Sequence, residues 1–446
     1  MWHISNRILL PVVVVILVLV SLGAALTRTT EPSPVVPYSA GSIVASPNPL
    51  SGAATPSPTS SESPVPSLVD ISQSLRVENG QVLEGEFFSE TLRTRLPYRV
   101  FLPAGYASSS ERYPVVYLLH GGGSSYVEWT ANNHAALFAD AMISEARIRP
   151  MILVMPEGDH SYFMNHAVDG QRWGDYIALE LVDYIDGRFR TVATREGRAV
   201  GGLSMGGTGA LQLAFNHPDR FSIAQANSPS LRLDLLEAPE YLGEVAYYAG
   251  YDPILLAASR AREIRGLDIS IDIGEQDEWF GAAERLHEAL EENAVEHQFL
   301  ARNGYHWTTY WIEYGPEYLS YYSRAFDRRL GGLPISSIDG PAAKATSLST
   351  DPTQETGSIR QAIQGVIRGA RVYAALPDSP YMARTAKQAM ADLREQLSRQ
   401  QTARFEKTTG LFADLETAVS RMDIGAMRHL SDHLEGALDE EAPDTP

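Results

Sequence analysis

Short apolar runs alternate with helix-length amphipathic stretches in the middle of the chain, from about residue 70 to residue 333. Six of the runs are typical of buried strands, and they lie at residues 114–119, 151–155, 198–202, 221–226, 267–273 and 297–301. Helix-like stretches lie between them, at residues 173–189, 208–217 and 280–293. Strands that alternate with helices predict an α/β fold whose sheet is mainly parallel and covered by helices. Sites in such sheets form at the carboxyl ends of the strands.

The N-terminal residues follow a different pattern. Residues 8–26 are an uncharged apolar run, and as a helix they would reach about 28 Å, close to the hydrocarbon thickness of a bilayer. Arg7 precedes the run, which places the N-terminus in the cytoplasm. We therefore predict that residues 1–28 are either a transmembrane signal anchor or a signal peptide cut near residues 23–25. The rest of the chain is then extracytoplasmic, held at the cell membrane or, in the second case, secreted.

Two segments rich in Pro, Gly, Ser or Thr, residues 29–69 and 334–356, lack the apolar periodicity of a packed core and predict linkers. Helical periodicity returns in residues 357–438, which predict a small domain of three antiparallel helices. We expect this helical domain to bind a protein partner, a cell-wall polymer or a second copy of the chain. The acidic tail, residues 439–446, is predicted to be disordered. The apolar positions that carry the helical pattern are Ile359, Ile363, Val366, Ile367, Ala370, Met382, Ala386, Ala389, Leu393, Leu397, Ile424, Met427, Leu430 and Leu434.

Composition excludes several classes of protein without selecting one. The 446 residues are enough for two or three domains. The net charge is −19, and most of it lies in residues 70–356, which argues against nucleic-acid binding because that needs a basic face. The absence of cysteine excludes disulfides, thiol nucleophiles, Cys-ligated zinc and iron–sulfur clusters. Asp159, His160 and His166 lack a strong ligand spacing, so no metal or other cofactor is predicted.

Residues 202–206 read Gly-Leu-Ser-Met-Gly and fit the pattern G-x-S-x-G, between a predicted strand and a predicted helix. This pattern is typical of a nucleophile elbow, a sharp strand-to-helix turn that exposes a serine hydroxyl. Glycines are needed there because a side chain would clash with the neighbouring strand and helix. Ser204 is therefore the candidate nucleophile, and the start of the following helix would favour the negative charge that develops on an acyl oxygen.

The first predicted strand runs into a glycine-rich turn, His120-Gly121-Gly122-Gly123. Such a turn at a strand end can direct a backbone N–H towards a reacting carbonyl group, and with the N–H of Met205 it would complete an oxyanion hole. The alternatives are a flexible turn and a phosphate-binding loop. The phosphate-binding loop is disfavoured because no Gly-Lys-Ser/Thr follows the turn.

A serine at its free pKa is a poor nucleophile and needs a base. His306 follows the sixth predicted strand, and Asp277 lies in the loop after the fifth, where it could orient the imidazole. The chain order Ser204, Asp277, His306 is the order found in α/β-hydrolases. Three other carboxylates near Asp277 are alternatives for the acid: Asp272, Glu275 and Glu278.

These motifs together resemble the "putative esterase" group of α/β-hydrolases, over about residues 77–330. That group includes S-formylglutathione hydrolases, feruloyl and acetyl-xylan esterase domains, enterochelin esterase-like enzymes and secreted mycolyltransferases. The resemblance implies that Ser204 is the nucleophile, Asp277 the acid and His306 the base. It also implies that the amides of Gly122 and Met205 form the oxyanion hole.

The substrate is less clearly indicated than the chemistry. Candidate pocket residues are His120, Trp129, Trp173 and Trp307, together with Tyr162 and Phe163. Core packing is the alternative for the aromatic side chains, and holding the glycine turn in shape is the alternative for His120. We expect an exported serine esterase that hydrolyses small or carbohydrate esters through an acyl-enzyme. The alternatives are an acyltransferase that uses the same triad and an inert surface binding protein.

Overall fold

The computed structural model describes residues 68–235, 239–331, 357–377, most of 379–393, 406–421 and 423–441. The predicted signal anchor or signal peptide lies outside these residues, as do nearly all of the first linker and the whole of the second. Among the described residues, no helix is both long and apolar enough to cross a bilayer. The location of the chain therefore stays a prediction.

The described residues form one nine-stranded sheet in the order β1-β2-β3-β5-β4-β6-β7-β8-β9. The six strands β4 to β9 are parallel to one another, whereas β1, β2 and β3 extend the sheet with antiparallel pairing. This arrangement confirms the predicted α/β-hydrolase fold with a mainly parallel sheet. The strands are β1 Val69–Asp70, β2 Gln81–Ser89, β3 Thr94–Leu102, β4 Val115–Leu119, β5 Ile152–Pro156, β6 Arg198–Leu203, β7 Ile223–Asn227, β8 Asp268–Gly274 and β9 Gln298–Arg302.

All six predicted strands are confirmed as β4 to β9, with ends that differ by at most two residues. Every residue of β4, β5, β6 and β7 is buried, because helices cover both faces of the sheet. This burial explains why β4 and β5 have continuous apolar sequences that do not alternate with polar residues. The antiparallel strands β2 and β3 were not predicted, since half-buried and exposed positions interrupt their apolar pattern.

The three predicted helices of the middle region are confirmed, and further helices complete both layers. The α-helices are α1 Glu128–Ala131, α2 Ala135–Ser144, α3 Trp173–Asp175, α4 Val182–Arg188, α5 Met205–Asn216, α6 Val245–Tyr248, α7 Pro253–Ser259, α8 Ala261–Ile264, α9 Phe280–Glu292, α10 Thr308–Leu330, α11 Gly357–Ala375, α12 Glu406–Ser420 and α13 Ile424–Glu441. A π-helical segment, Tyr176–Leu181, joins α3 to α4. Short 3-10 helices lie at Tyr106–Ser108, Arg195–Gly197 and Glu240–Leu242.

The C-terminal helices confirm the predicted helical periodicity. The described apolar positions that carried the pattern are buried in α11, in the helical residues between 380 and 393, and at Met427 and Leu434 of α13. Leu430 and Ile424 are half-buried beside them. The predicted start of the disordered tail, residue 439, is wrong. Helix α13 continues to Glu441, three residues beyond the predicted end of the helical domain.

The buried faces of the C-terminal helices pack into the same hydrophobic core as one face of the sheet. This core joins α2 and α10 to Ile363, Ile367 and Leu434. Polar contacts cross the same junction, where Arg428 of α13 lies 3.0 Å from Glu313 of α10 and the Ser379 hydroxyl donates to Glu145. A separate core on the opposite face contains α5, α9 and the helical segment that begins at Trp173. The C-terminal helices therefore complete a core layer of the α/β-hydrolase.

We predict that Ile363→Ala lowers the free energy of unfolding by about 2–5 kcal/mol, because it removes a fully buried side chain from the shared core. Unfolding is followed by tryptophan fluorescence and by helical circular dichroism. All tryptophans except Trp2 lie between residues 129 and 311, so the fluorescence reports on the sheet region. The two signals are expected to shift together.

Leu233→Ala is the matched control, because Leu233 is exposed, and its effect is expected to stay within about 0.5 kcal/mol. A circular dichroism transition that shifts alone, with unchanged fluorescence, would show that the helices unfold independently of the sheet.

Candidate active site

Ser204 lies at the sharp turn between β6 and α5, as the G-x-S-x-G pattern predicts. Its backbone has φ 54° and ψ −120°, a conformation that residues with a side chain rarely adopt and that costs roughly 1–3 kcal/mol. The Ser204 N–H donates to the Asn227 carbonyl at 2.9 Å. The Ser204 carbonyl accepts from the amides of Gly207, Thr208 and Ser230. Strand β7 and helix α5 thus hold the turn from both sides.

The glycines around Ser204 have no room for a side chain. A Cβ on Gly202 would lie 2.3 Å from the Gly206 carbonyl oxygen, and a Cβ on Gly206 would lie 2.3 Å from the Leu119 carbonyl oxygen. Both distances are far below van der Waals contact. The glycines therefore allow α5 to start directly against the ends of β6 and β4, which presents the Ser204 hydroxyl at the carboxyl edge of the sheet.

The turn after β4 lies beside the start of α5. A Cβ built on Gly122 would meet the Cβ of Met205 at 3.9 Å, so these two backbones are neighbours. Neither the Gly122 amide nor the Met205 amide donates a hydrogen bond to another described residue. Two adjacent amides without partners next to a nucleophile are suited to bind an oxyanion. The predicted oxyanion-hole residues are thus close together, while their role stays a prediction.

His306 bridges Ser204 and Asp277. Its Nε2 lies 2.9 Å from the Ser204 hydroxyl oxygen, and its Nδ1 lies 2.8 Å from an oxygen of Asp277. Asp277 is buried and accepts from the Trp279 amide with its other oxygen. With Nδ1–H held by the carboxylate, Nε2 is free to accept the serine proton. The structure brings the three predicted catalytic residues together in this geometry.

The other carboxylates near Asp277 have different surroundings. Glu275 and Glu278 are exposed. Asp272 is buried inside β8, where it accepts from Tyr310 and Tyr318 of α10 at 2.8 and 3.0 Å and pairs with Arg302 at 2.9 Å. Burial raises the pKa of Asp272 to about 6, against the lowering effect of these partners. Asp272 therefore anchors α10 to the sheet, and it does not contact His306.

The loops after β8 and β9 are joined by their backbones. The Gln276 amide donates to the Gly304 carbonyl at 3.0 Å, and the Gln276 side chain accepts from the Gly304 amide at 2.8 Å. A Cβ on Gly274 would lie 2.2 Å from the Gly304 carbonyl oxygen, so only glycine permits this approach. These bonds align Asp277 with His306, although the two residues are 29 positions apart.

Two tryptophans enclose the His306 ring, each edge to face, and neither was a predicted pocket residue. Trp279 lies 4.6 Å from the imidazole centre and Trp311 lies 5.0 Å from it. The Trp311 indole also donates to the Ser228 hydroxyl at 3.2 Å. The sequence signal for Trp279 was its position two residues after Asp277, and the signal for Trp311 was its position in the first turn of the helix after His306. Together they restrict the rotation of the imidazole.

Of the six predicted pocket residues, four are buried and Tyr162 is half-buried, so their place in a substrate pocket stays a prediction. The buried four are His120, Trp129, Phe163 and Trp173. Trp129 packs in the core and its indole donates to the Leu119 carbonyl at 2.9 Å. Trp173 packs in the opposite core, against Tyr176. His120 is 1% exposed. Trp307 is the exception, since it is 62% exposed and stacks on Tyr305 beside His306.

His120 instead holds the glycine turn in shape, the alternative interpretation of this residue. Its Nδ1 contacts the Gly121 carbonyl at 2.9 Å, and its Nε2 lies 3.2 Å from Glu157. Burial by itself would raise the pKa of Glu157, but hydrogen bonds from His120 and from the amides of Asp159 and Gly158 outweigh it and lower the pKa to about 2. Glu128 accepts from the Gly121 amide at 2.6 Å. The turn that carries Gly122 is thus fixed by two buried side chains.

Comparison with known proteins agrees with this fold. The family model described as "Putative esterase" matches residues 89–314, about half of the chain. A ferulic acid esterase of known structure superimposes with a TM-score of 0.51 at 24% identity, over 55% of this chain and 99% of that protein.

Two curated relatives match a shorter region. An endo-1,4-beta-xylanase/feruloyl esterase of Xylanibacter ruminicola is 32% identical over 152 residues, which are 32% of this chain and 21% of the relative. An esterase of Mycobacterium tuberculosis is 36% identical over 142 residues, 30% of each chain. The match spans less than a third of the length of these curated relatives.

We predict that Asp277→Asn slows the reaction of Ser204 with a fluorophosphonate by about 10⁴-fold, because the amide no longer holds the imidazole in the tautomer that accepts the serine proton. Glu278→Gln removes an adjacent exposed carboxylate and is expected to react at the rate of the unaltered protein. Labelling rates of the folded variants, measured by intact mass, make the comparison. Equal slowing in both variants would mean that Asp277 is not the orienting acid.

Proposed function

This chain belongs to the Putative esterase family, and from this membership and the site geometry we propose that it hydrolyses carboxylic esters through an acyl-enzyme on Ser204. The observation that carries the proposal is the continuous contact from the Ser204 hydroxyl through His306 to the buried Asp277, at 2.9 and 2.8 Å. A serine hydroxyl in contact with an oriented imidazole is an activated nucleophile. Asp277 is buried, so the imidazolium formed during reaction would be stabilised with little competition from water.

In the first half of the reaction, the Ser204 oxygen attacks the ester carbonyl carbon while His306 Nε2 takes the hydroxyl proton. The carbonyl oxygen becomes an oxyanion that accepts from the amides of Gly122 and Met205. The tetrahedral intermediate then collapses. The bond to the alcohol oxygen breaks, and His306 gives its proton to the departing alcohol.

In the second half, water takes the place of the alcohol. His306 removes a proton from the water as it attacks the acyl-enzyme carbonyl carbon, and the same amides bind the second oxyanion. Collapse of this intermediate breaks the bond to Ser204, which recovers the proton from His306. The products are a carboxylic acid and an alcohol, and the enzyme is restored.

We further propose that the substrates are small or carbohydrate-linked esters. Support comes from relatives whose names include feruloyl esterase and acetyl esterase, although each match covers only a part of this chain. Tyr305 and Trp307 precede and follow His306 in the chain, and their exposed rings stack on each other. They would offer a flat surface to an aromatic acyl group or a sugar ring.

The full chain is expected to hydrolyse p-nitrophenyl acetate or methyl ferulate, and Ser204→Ala is expected to lower kcat by roughly 10⁴- to 10⁶-fold. Ser222→Ala is the matched control, because Ser222 is a buried serine that precedes β7, at the opposite edge of the sheet. Its hydrolysis rates are expected to stay within about twofold of the unaltered protein, since it touches no part of the proposed site. The proposal fails if the folded protein turns over neither ester, or if Ser204→Ala retains the rate.

A further inference from the structure

A cavity of about 660 Å³ lies between the start of α10 and the C-terminal helices. Trp307 and Thr308 line it on the catalytic side, and Arg368 and Arg371 of α11 line it on the other. The cavity therefore begins one residue after His306. Its far wall comes from residues beyond the family match, which ends at residue 314.

The cavity is positively charged, in a chain whose net charge is −19. Asp432 is the acidic residue in its lining, and it is bound to Arg371 at 2.7 Å. Arg368 makes no hydrogen bond or ion pair with any residue that the structure describes. Burial, with a further effect from the charge of Arg76, lowers the pKa of Arg368. A guanidinium stays protonated even so, and it therefore lacks a counterion in this place.

His134 adds one polar atom, Nδ1, that has no partner among the described residues. The residue is buried at the start of α2. Burial, together with the charges of Arg368 and Arg371, holds the pKa of His134 well below its ordinary value, so the imidazole is neutral. The cavity thus offers an unpaired cation and a neutral ring nitrogen, while Asn132 and Thr308 add polar groups near the surface.

Partial burial of a charged group without a counterion is unfavourable, and a bound anion would relieve it. Guanidinium groups bind planar or tetrahedral oxyanions through paired hydrogen bonds, which suits a carboxylate or a phosphate. Trp307 follows His306 in the chain, is exposed and lines the cavity. Its ring provides an apolar surface for the part of a ligand that joins its anionic group to its ester.

We propose that this cavity is a substrate subsite for an anionic group. The preferred esters then carry a carboxylate or a phosphate in the part of the molecule that reaches from Ser204, past Trp307, into the cavity. The proposal rests on the proposed esterase function. It assigns to the C-terminal helices a role in substrate selection, with Arg368 as the residue that contacts the anion.

Three aryl acetates provide the test: 4-acetoxybenzoate, 4-acetoxyphenyl phosphate and the neutral methyl 4-acetoxybenzoate. In the full chain, Arg368→Gln is expected to lower the preference for an anionic ester, measured as its kcat/KM divided by the kcat/KM of the neutral ester, about tenfold or more. The loss is expected to come from a higher KM for the anionic ester. Arg368→Lys is expected to restore part of the ratio. Arg262→Gln removes an exposed arginine that precedes β8, at the other edge of the sheet, and should leave the ratio unchanged.

Direct binding separates this inference from the esterase proposal. Titration calorimetry with 4-hydroxybenzoate and with phenyl phosphate should show binding that Arg368→Gln weakens about tenfold or more, whether or not any ester is hydrolysed. The two ligands also tell a carboxylate site from a phosphate site. No binding of either ligand, or an unchanged ratio and affinity in Arg368→Gln, overturns the anion subsite. Loss of all ester turnover with binding intact contradicts only the esterase proposal.

Discussion

The strained backbone of Ser204 is the constraint on which the rest of the site depends. A residue with a side chain adopts φ 54° and ψ −120° only where its surroundings leave no alternative. Here the surroundings are the wholly buried strands β6 and β7 and the first turn of α5. The glycines at 202 and 206 let α5 approach the ends of β6 and β4 within a distance that no Cβ would allow. The turn is therefore stabilised by the packing of the central sheet.

The same principle extends to the partners of Ser204. His306 and Asp277 come from separate loops, and two hydrogen bonds between Gln276 and Gly304 align them, one through the Gln276 backbone and one through its side chain. Helix α10 continues from the histidine loop and is anchored to β8 by the two tyrosines that bind Asp272. Because the C-terminal helices pack on α10 within one core, they support the histidine loop as well as lining the charged cavity beside it. The core packing and the proposed anion subsite are thus linked through one helix.

The parallel strands and the contacts of His306 with Ser204 and Asp277 were predictable, because strong local patterns mark the strands and the serine turn. A strand buried on both faces is a continuous apolar run, and a nucleophile elbow needs its glycines. The antiparallel strands β2 and β3 lack such a pattern. Residue type alone could not indicate which tryptophans lie at the site. Trp129 and Trp173 are buried in cores, whereas Trp279 and Trp311 contact His306. Helical periodicity predicted that α11 and α13 bury one face, but it could not indicate that the sheet region covers that face, because an apolar stripe carries no information about its partner.

The central claim is that Ser204, His306 and the amides of Gly122 and Met205 form one pre-organised site for acyl transfer. The most direct test is a crystal structure of the protein after reaction with an alkyl fluorophosphonate, which leaves a tetrahedral phosphorus group that mimics the intermediate. We predict a covalent bond from phosphorus to the Ser204 oxygen, with the phosphonyl oxygen about 2.7–3.1 Å from both amide nitrogens. A phosphonyl oxygen directed to solvent, or an adduct on another residue, would contradict the claim.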